Sequence, residues 1–222
     1  MGKTIQLKAA DGHSFDAYVA EPAGKPRGAV VVIPEIFGIN VHIRSVADGY
    51  ATDGYLAVAP ALYDRVQRNY ETGYTQPEIQ AGVAIKGQIS NDTALADAQA
   101  AIDYAQSAGK VGIVGYCWGG TIAWYAAARA NGLAAAVSYY GGDVPQLKDE
   151  KPTVPTMFHF GETDHSIPLE KAKEVAAAHP QVTSHFYAAG HGFNCDMRGS
   201  YNEAAAKDAR ARTVEFFRKH LG

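Results

Sequence analysis

The sequence GYCWGG at residues 115–120 has the residue types and spacing of a nucleophile held on a tight turn. It follows a short apolar run, 111–115, and precedes an alanine-rich segment with a helical pattern. Flanking glycines let a strand and a helix pack closely, and a helix N-terminus favours a thiolate and a developing oxyanion. The pattern matches the G-x-nucleophile-x-G elbow with cysteine in place of serine. The sequence therefore predicts Cys117 as a nucleophile; an inert buried cysteine is the alternative.

A thiol nucleophile needs a base, and the base needs a carboxylate to orient it. Asp164 follows the predicted strand 155–160, and His191 follows the predicted strand 183–187. The chain order of nucleophile, acid and histidine is the one found in α/β-hydrolases. We therefore predict that Asp164 and His191 complete a triad. The alternatives for the base and the acid are His165 and Asp143, respectively.

The segment PEIFG at 34–38 follows another apolar run, 28–33. In hydrolases with a nucleophile elbow, one oxyanion donor comes from the residue after the nucleophile and another from a loop like this one. The backbone N–H groups of Ile36 and Trp118 are the predicted donors. Glu35 is unusual at this place, because a carboxylate would repel the developing charge. It is either a surface residue or has a role of its own.

Alternating strand and helix patterns position these residues. Strands are predicted at 4–8, 15–20, 28–33, 55–59, 111–115, 134–139, 155–160 and 183–187, and helices at 41–53, 91–108, 118–131, 168–178 and 201–220. Such alternation predicts an α/β fold, a mainly parallel twisted sheet with helices on both faces, formed by residues 1–222 as one domain. The irregular stretch 61–90 is predicted to cap a site beyond the carboxyl ends of the strands.

Composition excludes several functional classes. The 222 residues include 20 Lys plus Arg and 23 Asp plus Glu, a net charge of −3, so we expect no nucleic-acid partner. We expect no membrane span, because no apolar run is long enough. Two cysteines make no disulfide framework, which favours a cytoplasmic protein. No nucleotide-binding motif and no spaced metal-ligand set is present, so neither cofactor nor metal is expected. A monomer or small homo-oligomer is expected.

The sequence resembles the dienelactone hydrolase (carboxymethylenebutenolidase) family over essentially its whole length. The resemblance rests on five motifs: PEIFGIN (34–40), GYCWGG (115–120), YYGG (139–142), GETDHSIP (161–168) and AGHGF (189–193). It implies the α/β-hydrolase fold and a triad of Cys117, Asp164 and His191. It also implies that Glu35 contacts the resting thiol and helps to deprotonate it when substrate enters.

The sequence departs from the family where arginines bind the substrate carboxylate. Cys195 stands four residues after the predicted histidine, where the family has an arginine, and the stretch 76–90 holds Lys86 but no arginine. A cysteine cannot replace the bidentate grip of a guanidinium. Arginines elsewhere that could compensate are Arg65, Arg68 and Arg198. For the remaining substrate contacts we predict Phe37 and Tyr139.

The predicted function is cofactor-free hydrolysis of small lactones or esters through a thioester on Cys117. Three other functions remain open. They are hydrolysis of other esters or thioesters, transfer or peptidase chemistry with the same thiol, and a binding protein without turnover. Only the first function predicts rapid hydrolysis of a small activated lactone or ester.

Overall fold

A computed structural model describes residues 2–222. Eight strands form one sheet: β1 (Lys3–Lys8), β2 (Ser14–Ala20), β3 (Ala29–Ile33), β4 (Leu56–Pro60), β5 (Val111–Tyr116), β6 (Leu133–Tyr139), β7 (Thr156–Gly161) and β8 (Thr183–Tyr187). Their order across the sheet is β1-β2-β4-β3-β5-β6-β7-β8. The pairs β1–β2 and β2–β4 are antiparallel and the other five are parallel. The predicted mainly parallel sheet is confirmed.

Six α-helices cover the sheet: α1 (Val41–Thr52), α2 (Gln76–Lys86), α3 (Asn91–Ala105), α4 (Trp118–Arg129), α5 (Leu169–Ala178) and α6 (Glu203–Leu221). Three short 3₁₀ helices lie at Leu62–Arg65, Gln106–Ala108 and Val144–Leu147. Within residues 2–222, no helix combines the length and the apolar character that crossing a membrane requires.

The central strands are buried on both faces, as their uninterrupted apolar sequences predict. In β3, Val30 and Val32 pack in one core cluster, which also includes buried residues of α1 and α6. Val31 and Ile33 point to the opposite face and pack in a second cluster with α3 and α4. Helices therefore lie on both faces of the sheet, in agreement with the sequence.

Helix α2 is the main element that the sequence pattern did not predict. It lies inside the stretch 61–90, which was expected to be irregular. Thr75 begins it with a capping box, in which the Glu78 carboxylate accepts hydrogen bonds from the backbone N–H and the hydroxyl of Thr75. The helix carries only two buried residues, Gly82 and Ile85, so it lacks the apolar stripe that would have revealed it.

Candidate active site

The turn between β5 and α4 holds Cys117 in a strained backbone conformation, with φ of 56° and ψ of −121°. A positive φ is uncommon for a residue with a side chain. The neighbouring glycines are required by close packing. A Cβ on Gly115 would lie 1.8 Å from the Gly119 carbonyl oxygen, and a Cβ on Gly119 would lie 2.3 Å from that of Ile33. The elbow therefore presents a half-buried Cys117 at the start of α4.

His191 and Asp164 are joined by a hydrogen bond of 2.9 Å between Nδ1 and Oδ2. Because a carboxylate can only accept, Nδ1 carries the proton and Nε2 is left free to act on the Cys117 thiol. The second oxygen of Asp164 accepts from the backbone N–H groups of Ser166 and Ile167 at 2.7 and 3.1 Å. These bonds fix the buried carboxylate and, through it, the imidazole ring.

The two alternative residues lie elsewhere. Asp143 forms an ion pair of 2.8 Å with Lys86 of α2 and makes no hydrogen bond to a histidine within the described chain. His165 has an exposed side chain. The structure thus brings together the three residues that the sequence favoured as a triad.

The surroundings of His191 raise its pKa to about 10. Burial lowers the pKa, but negative charge on Cys117 and the hydrogen-bonded Asp164 carboxylate together outweigh that effect. A raised histidine pKa favours the imidazolium at neutral pH. An imidazolium at this place would favour the thiolate, which is the nucleophilic form of cysteine.

Two backbone N–H groups without an acceptor lie on the elbow and on the loop that packs against it. Trp118 is the first residue of α4, so its N–H has no acceptor inside the helix. The Ile36 N–H lies in the loop after β3, which contacts the elbow through the packing of Gly119 on Ile33 and Pro34. Among residues 2–222 neither N–H donates a hydrogen bond. Both are thus free to bind an oxyanion, and their role as oxyanion donors stays a prediction.

Glu35 is 1% exposed and is paired with a cation. Arg198 Nη1 donates to Glu35 Oε1 at 3.2 Å, and the Arg198 side chain is itself only 16% exposed. The Arg198 guanidinium lies over the Phe37 ring, 5.4 Å from its centroid.

Arg198 was one of three arginines considered from the sequence. The other two lie elsewhere, with Arg65 bound to Asp97 and Asp11, and Arg68 bound to the Ser14 carbonyl.

The resemblance implied a contact between Glu35 and the resting thiol. Within the described chain the hydrogen bond of Glu35 goes to Arg198 and none goes to Cys117. Glu35 Oε2 is buried and has no hydrogen-bond partner among residues 2–222. The Glu35 carboxylate is thus paired with Arg198, and its part in deprotonation stays a prediction.

The two residues predicted to bind substrate are both buried. Tyr139 is 0% exposed, and its hydroxyl is 2.6 Å from Thr213 Oγ1 in the core; direct substrate contact by its side chain stays a prediction. Its backbone does serve the site, because the Tyr139 carbonyl accepts from the Cys117 N–H at 3.1 Å. Phe37 is 1% exposed and supports Arg198; direct substrate contact by Phe37 stays a prediction.

Tyr140 is a site residue that the sequence did not single out above its neighbours. Its ring packs edge-on against His191 at 5.2 Å, and its buried hydroxyl has no hydrogen-bond partner among residues 2–222. Burial, followed by the charges of Glu35, Cys195 and Cys117, raises the pKa of Tyr140 well above its usual value. A neutral phenol therefore lies among these groups.

Helix α2 positions the loop that carries Ile36. Gly82 packs so closely on this loop that a Cβ there would lie 2.4 Å from the Ile36 carbonyl oxygen. The Tyr63 hydroxyl donates to the Gly82 carbonyl at 2.8 Å, and the Tyr63 ring lies 5.5 Å from that of Trp118. The stretch 61–90, predicted to cap a site, thus contacts both residues that carry the predicted oxyanion donors, Ile36 and Trp118.

One group of side chains has the chemistry of a metal site, although no spaced motif predicted one. Donor atoms of Glu35, His42 and Cys195 all lie within 4.8 Å of one another, and all three residues are buried. They come from the loop after β3, from α1 and from the turn after His191. Burial, followed by the Glu35 charge, raises the pKa of Cys195 to about 11.

A cysteine on a tight turn between a strand and a helix, together with a histidine hydrogen-bonded to an aspartate, is the arrangement typical of an α/β-hydrolase. Comparison with known proteins agrees. The family model for the dienelactone hydrolase family matches residues 15–221. The chain therefore belongs to the dienelactone hydrolase family, and it is a hydrolase of carboxylic esters or lactones.

Individual relatives match over nearly their full length. A carboxymethylenebutenolidase of Pseudomonas putida is 35% identical, with 96% of this chain and 94% of the relative covered. A Synechocystis protein provisionally named a carboxymethylenebutenolidase is 36% identical, with 92% and 91% covered. A solved structure from Klebsiella pneumoniae, provisionally named a dienelactone hydrolase, is 30% identical with a TM-score of 0.80 and covers 98% of this chain and 99% of its own.

Proposed function

We propose that the protein opens small lactones that carry a carboxylate, through a thioester on Cys117. The observation that carries this proposal is the 2.9 Å hydrogen bond between His191 Nδ1 and Asp164, which leaves His191 Nε2 free to act on the Cys117 thiol. Each of the three residues follows the carboxyl end of a strand, where ligands of parallel sheets bind.

In the first step, Cys117 Sγ bonds to the lactone carbonyl carbon and the N–H groups of Ile36 and Trp118 bind the oxyanion. Collapse of this intermediate breaks the ring C–O bond and leaves a thioester. The His191 imidazolium gives its proton to the departing oxygen. Its acidity increases at this moment, because the thiolate charge that raised its pKa has been consumed.

In the second step, neutral His191 takes a proton from water, and the resulting hydroxide attacks the thioester carbonyl. The C–S bond breaks, the carboxylic acid is released and the Cys117–His191 pair is restored. The former ring oxygen stays on the acyl chain, so a single product leaves the site. No cofactor takes part in either step.

Arg198 supplies the basis for the carboxylate preference. It lies beside Glu35, the residue before the predicted oxyanion donor Ile36, and it is the arginine that the fold brings to this place. A guanidinium binds a carboxylate with two hydrogen bonds. Relatives named carboxymethylenebutenolidase act, by that name, on a butenolide with a carboxymethylene group. We infer that Arg198 takes the role of the missing family arginines.

The test compares cis- and trans-dienelactone with a matched butenolide that lacks the carboxyl group. We expect the wild type to hydrolyse the dienelactones, Cys117→Ala to lose the activity and Arg198→Met to lose the preference for them over the neutral lactone. Turnover by Cys117→Ala equal to the wild type would overturn the thiol mechanism. An unchanged preference in Arg198→Met would overturn the carboxylate assignment alone.

The two free cysteines favour a reducing compartment of the cell. Neither Cys117 nor Cys195 forms a disulfide, and a thiolate nucleophile is easily oxidised. We propose that the protein works in the reducing cytoplasm, as a monomer or a small homo-oligomer. Acyl transfer to an acceptor other than water is the second candidate, and product analysis with added alcohols distinguishes it from hydrolysis.

A further inference from the structure

We propose that Glu35, His42 and Cys195 form a binding site for a zinc-like transition-metal ion beside the active site. The carboxylate, imidazole and thiol donor atoms of these residues lie within 4.8 Å of one another in the interior. Ligands of a tetrahedral zinc ion at about 2.0–2.3 Å lie roughly 3.3–3.8 Å apart, so small side-chain rotations bring all three atoms to one ion.

Two of these donor atoms are buried and lack any partner from Gly2 onward. They are Glu35 Oε2 and His42 Nε2. Buried polar atoms are nearly always satisfied, and each exception calls for an explanation such as an ion. Two such exceptions, together with a thiol at the same place, are explained by one cation.

Each proposed ligand also has a polar neighbour outside the candidate metal site. His42 Nδ1 donates to Asp196 Oδ1 at 3.0 Å, which leaves Nε2 as the atom with a lone pair. Glu35 Oε1 accepts from Arg198 at 3.2 Å, which leaves Oε2. The Tyr74 hydroxyl lies beside Cys195 and accepts a hydrogen bond from the Asn40 amide at 3.0 Å. Such outer partners orient ligands in known metal sites, and a carboxylate behind a histidine is characteristic of zinc.

The ligand types select the metal. A set of one sulfur, one nitrogen and one oxygen suits Zn²⁺ or Co²⁺, whereas Mg²⁺ and Ca²⁺ prefer oxygen alone. On binding, the Cys195 thiol releases its proton to solvent and coordinates as a thiolate. Glu35, Asp196 and this thiolate then carry three negative charges, which balance the ion together with Arg198.

A groove open to solvent reaches one of the proposed ligands, His42. A groove of about 730 Å³ between α1, α6 and the turn at 194–196 is lined by both His42 and Asp196. The Asp196 side chain is 66% exposed, whereas that of His42 is 5% exposed. An ion in the groove therefore meets the accessible Asp196 carboxylate beside the buried His42.

The proposed metal site includes Glu35, which precedes the predicted oxyanion donor Ile36 in the chain. Coordination fixes this side chain and the loop that carries Ile36, so we expect bound metal to slow hydrolysis. This effect on the rate rests on the proposed function, whereas metal binding itself does not.

The test is titration of Cys117→Ala with Co²⁺ and Zn²⁺, because this variant lacks the second thiol that could bind metal beside His191. We expect one Co²⁺ per chain, with the sulfur-to-metal charge-transfer absorption of a Co²⁺–thiolate bond, and displacement by Zn²⁺. Adding Cys195→Ser removes that absorption. Adding His220→Gln, a histidine near the C-terminus of α6, changes nothing and serves as the control.

Asp196→Asn tests the site with the least effect on folding, because the Asp196 side chain is exposed and lies outside the core. Loss of an outer partner weakens metal binding by roughly 10–100-fold, so we expect a loss in this range, with unaltered thermal unfolding of the metal-free protein. The proposal is overturned if Cys117→Ala binds no Co²⁺, or if the absorption survives Cys195→Ser. An unchanged affinity in Asp196→Asn would overturn the assigned role of His42.

Discussion

Arg198 and Glu35 form a buried ion pair, with Nη1 and Oε1 3.2 Å apart, in a place where the sequence alone suggested an unexplained acid. The two residues are 163 positions apart in the chain. The pairing gives the carboxylate a counter-ion next to a predicted oxyanion hole. It also links the loop after β3 to the turn that follows His191, so it concerns both stability and catalysis.

Breaking this pair from one side should destabilise the protein. Arg198→Met leaves Glu35 buried without its cation, a change that typically costs about 3–5 kcal/mol. We expect a loss of this size in the free energy of unfolding measured with urea. In Glu35→Gln/Arg198→Met, which has no buried charge left, we expect much of the loss to be recovered. A single variant as stable as the wild type would contradict the structural importance of the pair.

The pKa of His191 should depend on both of its partners. In the wild type we expect the imidazolium to persist to about pH 10, followed by NMR of the ring. Cys117→Ala removes the thiolate and Asp164→Asn removes the carboxylate, so each variant should titrate at lower pH than the wild type. A wild-type pKa near 6.5, unchanged in Cys117→Ala, would contradict the ion pair.

The same shift predicts how stability depends on pH. The pKa of His191 is higher in the folded protein than in the unfolded chain, so its contribution is complete below about pH 6.5. It is lost as the pH rises towards about 10. Between these values, urea unfolding should show a steeper loss of stability in the wild type than in Cys117→Ala. Parallel curves for the two proteins would argue against the coupling.

Helix α2 should control catalysis through a single contact. In Gly82→Ala the new Cβ would lie 2.4 Å from the Ile36 carbonyl oxygen, so either the loop or the helix must move. Loss of one oxyanion donor costs about 10²–10³ in kcat, and a displaced donor should cost part of this. We expect at least a tenfold lower kcat with a smaller change in KM.

Gly87→Ala is the matched control for that substitution. Gly87 ends the same helix with φ of −62°, and a Cβ there has its nearest neighbour at 3.5 Å. It should keep wild-type kcat. Equal kcat values in the two variants would show that α2 does not position the Ile36 loop.

Local sequence patterns were sufficient to predict much of the fold and to select Cys117, Asp164 and His191 as the candidate triad. Apolar runs mark the buried strands, and glycines that flank a cysteine between a strand and a helix mark the elbow. Contacts between distant segments could not be predicted in this way. Arg198 reaches Glu35 only through the fold, and Cys195, which looked like the loss of an arginine, lies beside Glu35 and His42.

Tyr139 and α2 show a second limit of local patterns. An aromatic residue at the end of a strand can face a pocket or the core, and the hydrogen bond of Tyr139 to Thr213, 74 residues away, places it in the core. Helix α2 has only two buried residues and is held by the Thr75 capping box and the contact of Gly82. The sequence of α2 therefore lacks the helical spacing of apolar residues that would predict a helix. Thr75 and Glu78 are a local signal of its start.

The most direct measurement is the mass of the intact enzyme quenched during turnover of an activated aryl ester. A thioester on Cys117 predicts an adduct with the mass of the acyl group, located by peptide mapping to the peptide that contains Cys117. The adduct should be absent in Cys117→Ala and should accumulate in His191→Gln if acylation still proceeds, because the base for deacylation is missing. Full turnover by Cys117→Ala, or an adduct on another residue in the wild type, would contradict the mechanism.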